Sequence, residues 1–379
     1  MSEDSETLKN DTALFTFLFQ DEPFLLIDVR TPSEFRNGHI PGAINVPLFL
    51  DEERAAVGLL YKQKGSRAAI RAGLDYVGPR LSTLVKQVED LLEQGENSPR
   101  LIIYCWRGGM RSASVAWLLR LYGMEPETIP GGYKSFRRFV NSIFTKPIPI
   151  AVLGGLTGSG KTLVLRQMQL AGIPVVDLEE LACHQGSAFG HLGQPSQPSQ
   201  EHFENLLALT LYRAGKKALD SGSVVWIEDE SRFIGSLHLP LPLWQRMQEA
   251  PLFLMPDNPQ RRLDTLLANY GHHDPKDLAS SILKIRKRLG PERTAQALAE
   301  LGKGNLRNMA SVLLEYYDKT YTYSLTQKKG PAPIHLPNEC LNTQKAAHYL
   351  ASLNPLHLAT TSPEPLTSPR ESVAPSYPI

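Results

Sequence analysis

The sequence predicts an α/β protein made of two parallel-sheet units in tandem, the second carrying a phosphate-binding loop and a helical C-terminal part. Three observations predict it. Short apolar strand patterns alternate with helical patterns through both halves. Two glycine-rich loops each follow a strand and open a helix. A length of 379 residues gives room for two domains that each bury a core. The first unit is expected over residues 13–144 and the second over residues 147–350, with Lys146, Pro147, Ile148 and Pro149 as a short, stiff join. Residues 354–379, rich in Ser, Thr and Pro, read as a disordered tail.

In the first unit, residues 24–29 are an apolar strand, and the stretch 37–47, punctuated by Gly38, Pro41, Gly42 and Pro47, is a turn-rich path into a further short strand. Helical patterning covers residues 80–92 and again 112–122, the second ending at Gly123 as a helix does. Between them Leu101, Ile102, Ile103 and Tyr104 form a short buried-strand pattern closed by Cys105. Trp106, Arg107, Gly108, Gly109, Met110 and Arg111 follow before the helix opens at Ser112.

A thiol between a strand end and a helix start faces converging backbone N–H groups and the positive end of the helix dipole, which favour thiolate over thiol. Gly108 and Gly109 allow backbone shapes a side chain would obstruct, and Arg107 and Arg111 add fixed positive charge. Cys105 is therefore expected to be a nucleophile beside a small anion, with Arg111 in the same catalytic loop. The competing reading is a buried, inert cysteine.

In the second unit, residues 148–153 read as a strand that runs into Gly155, Leu156, Thr157, Gly158, Ser159, Gly160, Lys161 and Thr162. This is the full P-loop pattern, G-x-x-x-x-G-K-[ST]. Gly155, Gly158, Ser159 and Gly160 let successive N–H groups wrap a diphosphate, Lys161 neutralises the outer phosphate, and the Thr162 hydroxyl is placed to ligate magnesium. Residues 173–177 are a strand ending in Asp177, 203–219 a helix, and 223–229 a strand ending in Glu228 and Asp229. Carboxylates at strand ends meet ligands at the carboxyl edge of a parallel sheet. Asp177 is expected there, and Glu228 or Asp229 fits the position that holds magnesium or its water; a solvated turn is the alternative. Residues 184–191, rich in Gly and Gln, are a loop that either grips substrate or merely connects.

Residues 261–319 are mostly helical and basic, with Arg261, Arg262, Lys284, Arg286, Lys287, Arg288, Arg293, Lys303 and Arg307, followed by Tyr316, Tyr317 and Tyr321. Cations interleaved with stackable aromatics suit an RNA backbone and splayed bases, and a solvated helix face with core tyrosines fits the pattern equally. His272 and His273 are rejected as a metal pair because neighbours on a helix point apart.

Bulk properties bound the function. A net charge of +1 argues against indiscriminate coating of nucleic acid. The three cysteines, Cys105, Cys183 and Cys340, give neither a disulfide framework nor a C-x-x-C site, which implies a reducing compartment. The acidic N-terminus and the lack of a bilayer-length apolar run place the chain in the cytoplasm, with no membrane partner.

The first unit resembles a rhodanese module. Its landmarks occur in order: Asp28, Val29, Arg30, Thr31, Pro32, Ser33, Glu34 and Phe35; then Gly38, His39, Ile40, Pro41 and Gly42; then the strand-end Cys105 loop. The spacing Cys105-x5-Arg111 departs from the simple sulfurtransferase pattern and matches the rhodanese-related cysteine phosphatases, so the resemblance implies room for a phosphate ester or selenophosphate. Fused directly to a P-loop unit, the chain closely resembles the tRNA 2-selenouridine synthases from about Phe24 to about Tyr321. Further matching segments lie at residues 57–63, 176–179, 186–190 and 227–232, while Gln185 stands where that family carries arginine.

That resemblance implies a transferase that converts the wobble 2-thiouridine of the tRNA anticodon arm to 2-selenouridine through S-geranyl-2-thiouridine. Selenophosphate and geranyl diphosphate would be its co-substrates. Alkylation would turn a poor leaving group into a geranyl thiol, and the P-loop, Lys161 and Mg2+ would stabilise the departing diphosphate. Cys105 would serve the selenium step as nucleophile or selenium carrier, with Arg111 and the loop N–H groups holding selenophosphate. The alternatives are a P-loop kinase or NTPase with a sulfur-sensing rhodanese module, a cysteine phosphatase, and a nucleotide-gated tRNA adaptor.

Overall fold

The computed structural model describes residues 15–20, 22–94 and 99–353. The expected start of the first unit at Ala13 and the expected tail over 354–379 lie outside the described residues.

The first unit runs β1 (Phe24–Asp28), α1 (Pro32–Asn37), β2 (Ile44–Asn45), α2 (Asp51–Val77), α3 (Leu81–Glu93), β3 (Arg100–Tyr104), α4 (Met110–Tyr122), β4 (Pro126–Thr128) and α5 (Gly132–Ile143). Its sheet has the order β2-β1-β3-β4, all parallel, with Leu26 opposite Ile102 and Asp28 opposite Tyr104. Parallel neighbours need crossover connections, and those helices cover both faces, which is why β1 and β3 are apolar without alternation. Thr31 and Glu34 form a capping box at the start of α1, with Pro32 in its first turn. Helix α4 starts at Met110 rather than Ser112, with Gly109 as its cap, and ends on the left-handed Gly123.

Two helices here were not expected from the sequence. Helix α2 lacks an apolar stripe, burying Ala69, Gly73 and Val77 alone. Helix α5 opens on Gly131 and Gly132, both at positive φ, rather than on a Ser or Asp cap.

The second unit runs β5 (Ile150–Gly154), α6 (Lys161–Leu170), β6 (Val175–Val176), α7 (Leu178–Ala182), α8 (Gln200–Asp220), β7 (Val225–Glu228), β8 (Phe233–Ile234), β9 (Leu237–His238), α9 (Leu241–Glu249) and β10 (Leu252–Leu254). Then follow α10 (Pro259–Tyr270), α11 (Pro275–Lys284), α12 (Arg286–Leu289), α13 (Pro291–Gly302), α14 (Leu306–Thr326), β11 (Ile334–His335) and α15 (Thr343–Ser352). The sheet order is β11-β10-β5-β7-β6, all parallel, so the strand feeding the P-loop is central. Strand β6 is shorter than the expected 173–177 because Asp177 turns to cap α7, its side chain accepting the Glu180 N–H at 2.8 Å. His272 and His273 sit in a turn after α10, not on a helix, and their rings are 4.2 Å apart rather than diverging. No third potential ligand joins them among the described residues.

The two units share one hydrophobic core. Phe136, Phe139 and Ile143 of α5 belong to the same buried cluster as Phe203, Leu207 and Leu211 of α8. Polar contacts frame that seam: Asn205 Nδ2 donates to the Tyr133 hydroxyl at 2.7 Å and to the His39 carbonyl at 2.8 Å, and Arg137 pairs with Glu204. The relation between the units is therefore set by packing as well as by the Lys146 to Pro149 join.

Candidate functional site

Cys105 is buried at the carboxyl end of β3, with its Sγ 3.2 Å from the Ser112 hydroxyl. Burial pushes the thiol up, but the Ser112 hydroxyl, the N–H groups of Ser112 and Arg107, and the Arg111 charge outweigh it and hold the pKa below that of an ordinary cysteine. The loop is braced from behind by α5, whose Tyr133 and Lys134 N–H groups donate to the carbonyls of Cys105 and Trp106, each at 2.9 Å. Only glycine fits that approach: a Cβ on Gly132 would collide with the Cys105 carbonyl, and one on Gly108 would lie 2.6 Å from the Ile129 carbonyl.

Arg111 is already occupied. Its guanidinium donates to Glu34 at 2.6 and 3.3 Å; burial pushes the Glu34 carboxyl up, but Arg111 and the Thr31 N–H outweigh it and hold it below its usual range. Beneath the loop, Arg30 is fully buried on Asp28, donates to the Gly38 carbonyl at 2.7 Å, and lies 3.8 Å over the Tyr133 ring.

At the P-loop, Lys161 Nζ rests 3.1 Å from the Gly155 carbonyl, and Thr162 Oγ1 donates to Glu179 at 3.1 Å. Gly158 approaches the backbone of Arg262 so closely that a Cβ would lie 2.8 Å from the Arg262 carbonyl. Ser159 is buried, and its hydroxyl has no partner. Gly160, at φ +90, caps α6. The structure thus brings Gly155, Gly158, Ser159, Gly160, Lys161 and Thr162 to one cleft of about 1820 Å³. The Cys105 loop is not part of its wall, so the two anion cradles are separate.

The carboxylates behind the P-loop sort differently from the expectation. Glu228 is fully buried and joins Glu179 and Glu230, with ligand oxygens within 4.8 Å of one another. Burial above all pushes the three up; repulsion from Glu179 adds to it at Glu228 and at Glu230, which rises to about 8, while at Glu179 the Lys161 charge opposes burial and Asp177 adds to it. One oxygen of Glu228 has no partner. Asp229 is tied instead to Lys328 at 2.5 Å and to the Tyr321 hydroxyl at 2.9 Å, and that hydroxyl also accepts the Gly155 N–H at 2.9 Å. Asp177 caps α7, lies outside the cleft wall, and faces Arg166 at 3.8 Å.

The sequence reading gave no role at this site to Glu179, Glu230 or Lys328, and took Tyr321 for an RNA-stacking aromatic where it bonds Gly155 and Asp229. The available signal was a second acid two residues beyond Glu228 and an acid two residues beyond Asp177.

The basic helical region divides in two. Arg262 is buried, donating to the Thr157 carbonyl at 2.8 Å and pairing with Asp257 and Asp318, so it clamps the P-loop rather than facing solvent. Arg293, Lys303 and Arg307 pair with Glu315, Glu300 and Asp264. Lys284, Arg286, Lys287 and Arg288 stay exposed, and Lys284 and Arg288 line the cleft. Tyr316, Tyr317 and Tyr321 are half-buried and all line the cleft wall, Tyr317 and Tyr321 with their hydroxyls accepting the Ala188 and Gly155 N–H groups. Gln185 accepts from the Tyr270 hydroxyl at 2.7 Å.

Comparison with known proteins finds two family matches along the chain. Residues 15–138 match the rhodanese-like domain family, and residues 148–342 match the tRNA 2-selenouridine synthase AAA domain family. The chain is 37% identical over 337 residues to the tRNA 2-selenouridine synthase of Marinobacter nauticus, covering 80% of this chain and 89% of that protein. It is likewise 37% identical over 353 residues to the enzyme of that name from Cupriavidus pinatubonensis, covering 83% and 92%. No helix among the described residues is long and apolar enough to cross a membrane.

Proposed function

The chain belongs to the tRNA 2-selenouridine synthase family, and from that premise we propose that it is a cytoplasmic transferase that converts the wobble 2-thiouridine of tRNA to 2-selenouridine in two steps at two loops. The observation that carries this reading is the pair of separate anion cradles, one with a thiol of lowered pKa and one with a complete P-loop, held in a shared core.

In the first step the thiouridine sulfur attacks C1 of geranyl diphosphate. The C–S bond forms as the C–O bond breaks, diphosphate leaves with the electron pair, and the N3 proton goes to solvent. Lys161 and the P-loop N–H groups take up the charge that develops on the leaving group. The Thr162 hydroxyl with Glu179, Glu228 and Glu230 fits a divalent cation, since a buried Glu228 oxygen lacks any partner. Magnesium held there would supply further positive charge to the diphosphate.

In the second step the selenium of selenophosphate adds at C2, and geranyl thiol departs with a proton. The Cys105 thiolate then attacks phosphorus, so that S–P forms as P–Se breaks and selenouridine is freed. Water cleaves the S–P bond, releasing phosphate and restoring the thiolate. The Arg107 and Ser112 N–H groups, with Arg111, hold the phosphoryl oxygens. The exposed cations Lys284, Arg286, Lys287 and Arg288 receive the anticodon arm at the mouth of the cleft.

Nucleoside mass spectrometry of tRNA from cells carrying Cys105→Ala tests the reading. Se-phosphorylated 2-selenouridine, already free of the geranyl group, should accumulate while 2-selenouridine disappears; unchanged selenouridine would remove Cys105 from the reaction.

A further inference from the structure

Helix α2 leaves the first unit and returns to the place it left. Arg80, just beyond its end, pairs with Glu53 of its first turn at 2.7 Å, and a Cβ on Gly73 would lie 3.2 Å from the Phe49 ring just before its start. An unbroken helix of this length would hold its ends about 40 Å apart. Gly65 resolves the contradiction, because its backbone is non-helical at φ +80 and ψ −178. The segment is a helical hairpin with Gly65 at its tip, each limb rising about 20 Å. Residues 61–67 around that tip are exposed throughout.

The carboxylates of this hairpin, Asp51, Glu52, Glu53 and Asp75, all lie at its root, which leaves the rest of it one-sided in charge. From Arg54 to Leu74 it carries five cations, Arg54, Lys62, Lys64, Arg67 and Arg71, and no carboxylate, in a chain whose net charge is only +1. Like charges gathered on an exposed tip repel one another and give the fold nothing in return, whereas a polyanion would relieve the repulsion. Tyr61 stands exposed beside Lys62, an aromatic face next to a cation. The root of the hairpin joins the Cys105 loop through one short helix: Asp51 accepts the Ser33 N–H of α1 at 3.2 Å, and the next residue, Glu34, holds Arg111.

We propose that this hairpin is an RNA-contacting arm that grips the phosphate backbone of tRNA while the reacting base lies at the Cys105 loop. The proposal rests on the reading that tRNA is the substrate. The observations favour RNA over a second protein because the exposed tip is cationic and free of carboxylates. The apolar side chains Leu59 and Leu74 lie on the limbs rather than at the tip.

Binding of purified tRNA to the full-length protein, measured across a salt series, tests it. The triple reversal Lys62→Glu, Lys64→Glu, Arg67→Glu should weaken binding at least tenfold and flatten the slope of log K against log salt by about 2. The neutral set Lys62→Gln, Lys64→Gln, Arg67→Gln should fall between, with magnesium binding at the P-loop unchanged in both. Unaltered affinity and slope in the reversal variant, while the wild type binds tRNA, would overturn the arm and leave the substrate reading standing. Failure of the wild type to bind tRNA would overturn both. If Leu59→Ser with Leu74→Ser dissociates an oligomer in sedimentation while the charge variants bind tRNA normally, the hairpin is a protein interface and the proposal falls.

Discussion

Arg111 and Glu34 hold each other through two hydrogen bonds, at 2.6 and 3.3 Å, across the mouth of the Cys105 loop. Glu34 also closes the capping box of α1, accepting the Thr31 N–H at 3.0 Å. An incoming anion must therefore compete with a carboxylate for Arg111. Glu34→Gln should loosen that hold, tighten phosphate binding at the loop several-fold, and deepen the depression of the Cys105 thiol. Alkylation of Cys105 followed against pH checks this: the reactivity curve should move to lower pH in the variant, and a superimposable curve would mean Arg111 is not shared.

Lys161 is the strongest single cation in the P-loop cradle. Removing one such contact to developing charge costs about 3 kcal/mol, or roughly a hundredfold in rate. Lys161→Ala should slow geranylation of thiolated tRNA by that factor while leaving Cys105 alkylation unchanged. A normal rate would assign the loop another task.

Charge reversal at Arg286, Lys287 and Arg288 on α12 should weaken tRNA binding and reduce its salt dependence, because contacts to phosphates release counterions. These three are exposed, so the fold should survive the change. An unaltered salt slope in the triple variant would return α12 to an ordinary solvated face.

The seam between the units should respond to acid. His39 and His202 stack at 4.0 Å, and burial first, then the charge of His39, lowers His202 from 6.5 to about 4. A histidine whose folded pKa is depressed binds fewer protons folded than unfolded, so its stabilising contribution is complete above 6.5 and is lost as pH falls toward 4. The unfolding temperature should decline over that window. His202→Phe should flatten the decline, and an equally steep profile in the variant would place the acid sensitivity elsewhere.

Much of this was legible in the chain. The strand before Cys105 and the P-loop announce themselves because apolar runs and glycines serve local needs that one sequence segment states in full. Helix α2 did not, because an arm that buries almost nothing carries no apolar stripe for periodicity to find. Glu179 in the first turn of α7 and Glu230 just beyond β7 come together across the fold, and Arg262 reads as one more surface cation although it is buried against the Thr157 carbonyl. Such partners are set by tertiary packing, which a linear pattern does not encode. Asp177 shows another side of this: one oxygen of the strand-end acid caps its own helix and the other is buried without a hydrogen-bond partner, neither of which its position in the chain announces.

Because Phe136, Phe139 and Ile143 find their partners on α8, the apolar side of α5 is completed only by residues made much later. During synthesis the first unit thus emerges from the ribosome with part of an apolar flank uncovered, and that flank is closed once α8 has been translated. Cut free of its neighbour, the first unit would present that flank to water, an apolar patch of the kind that invites self-association.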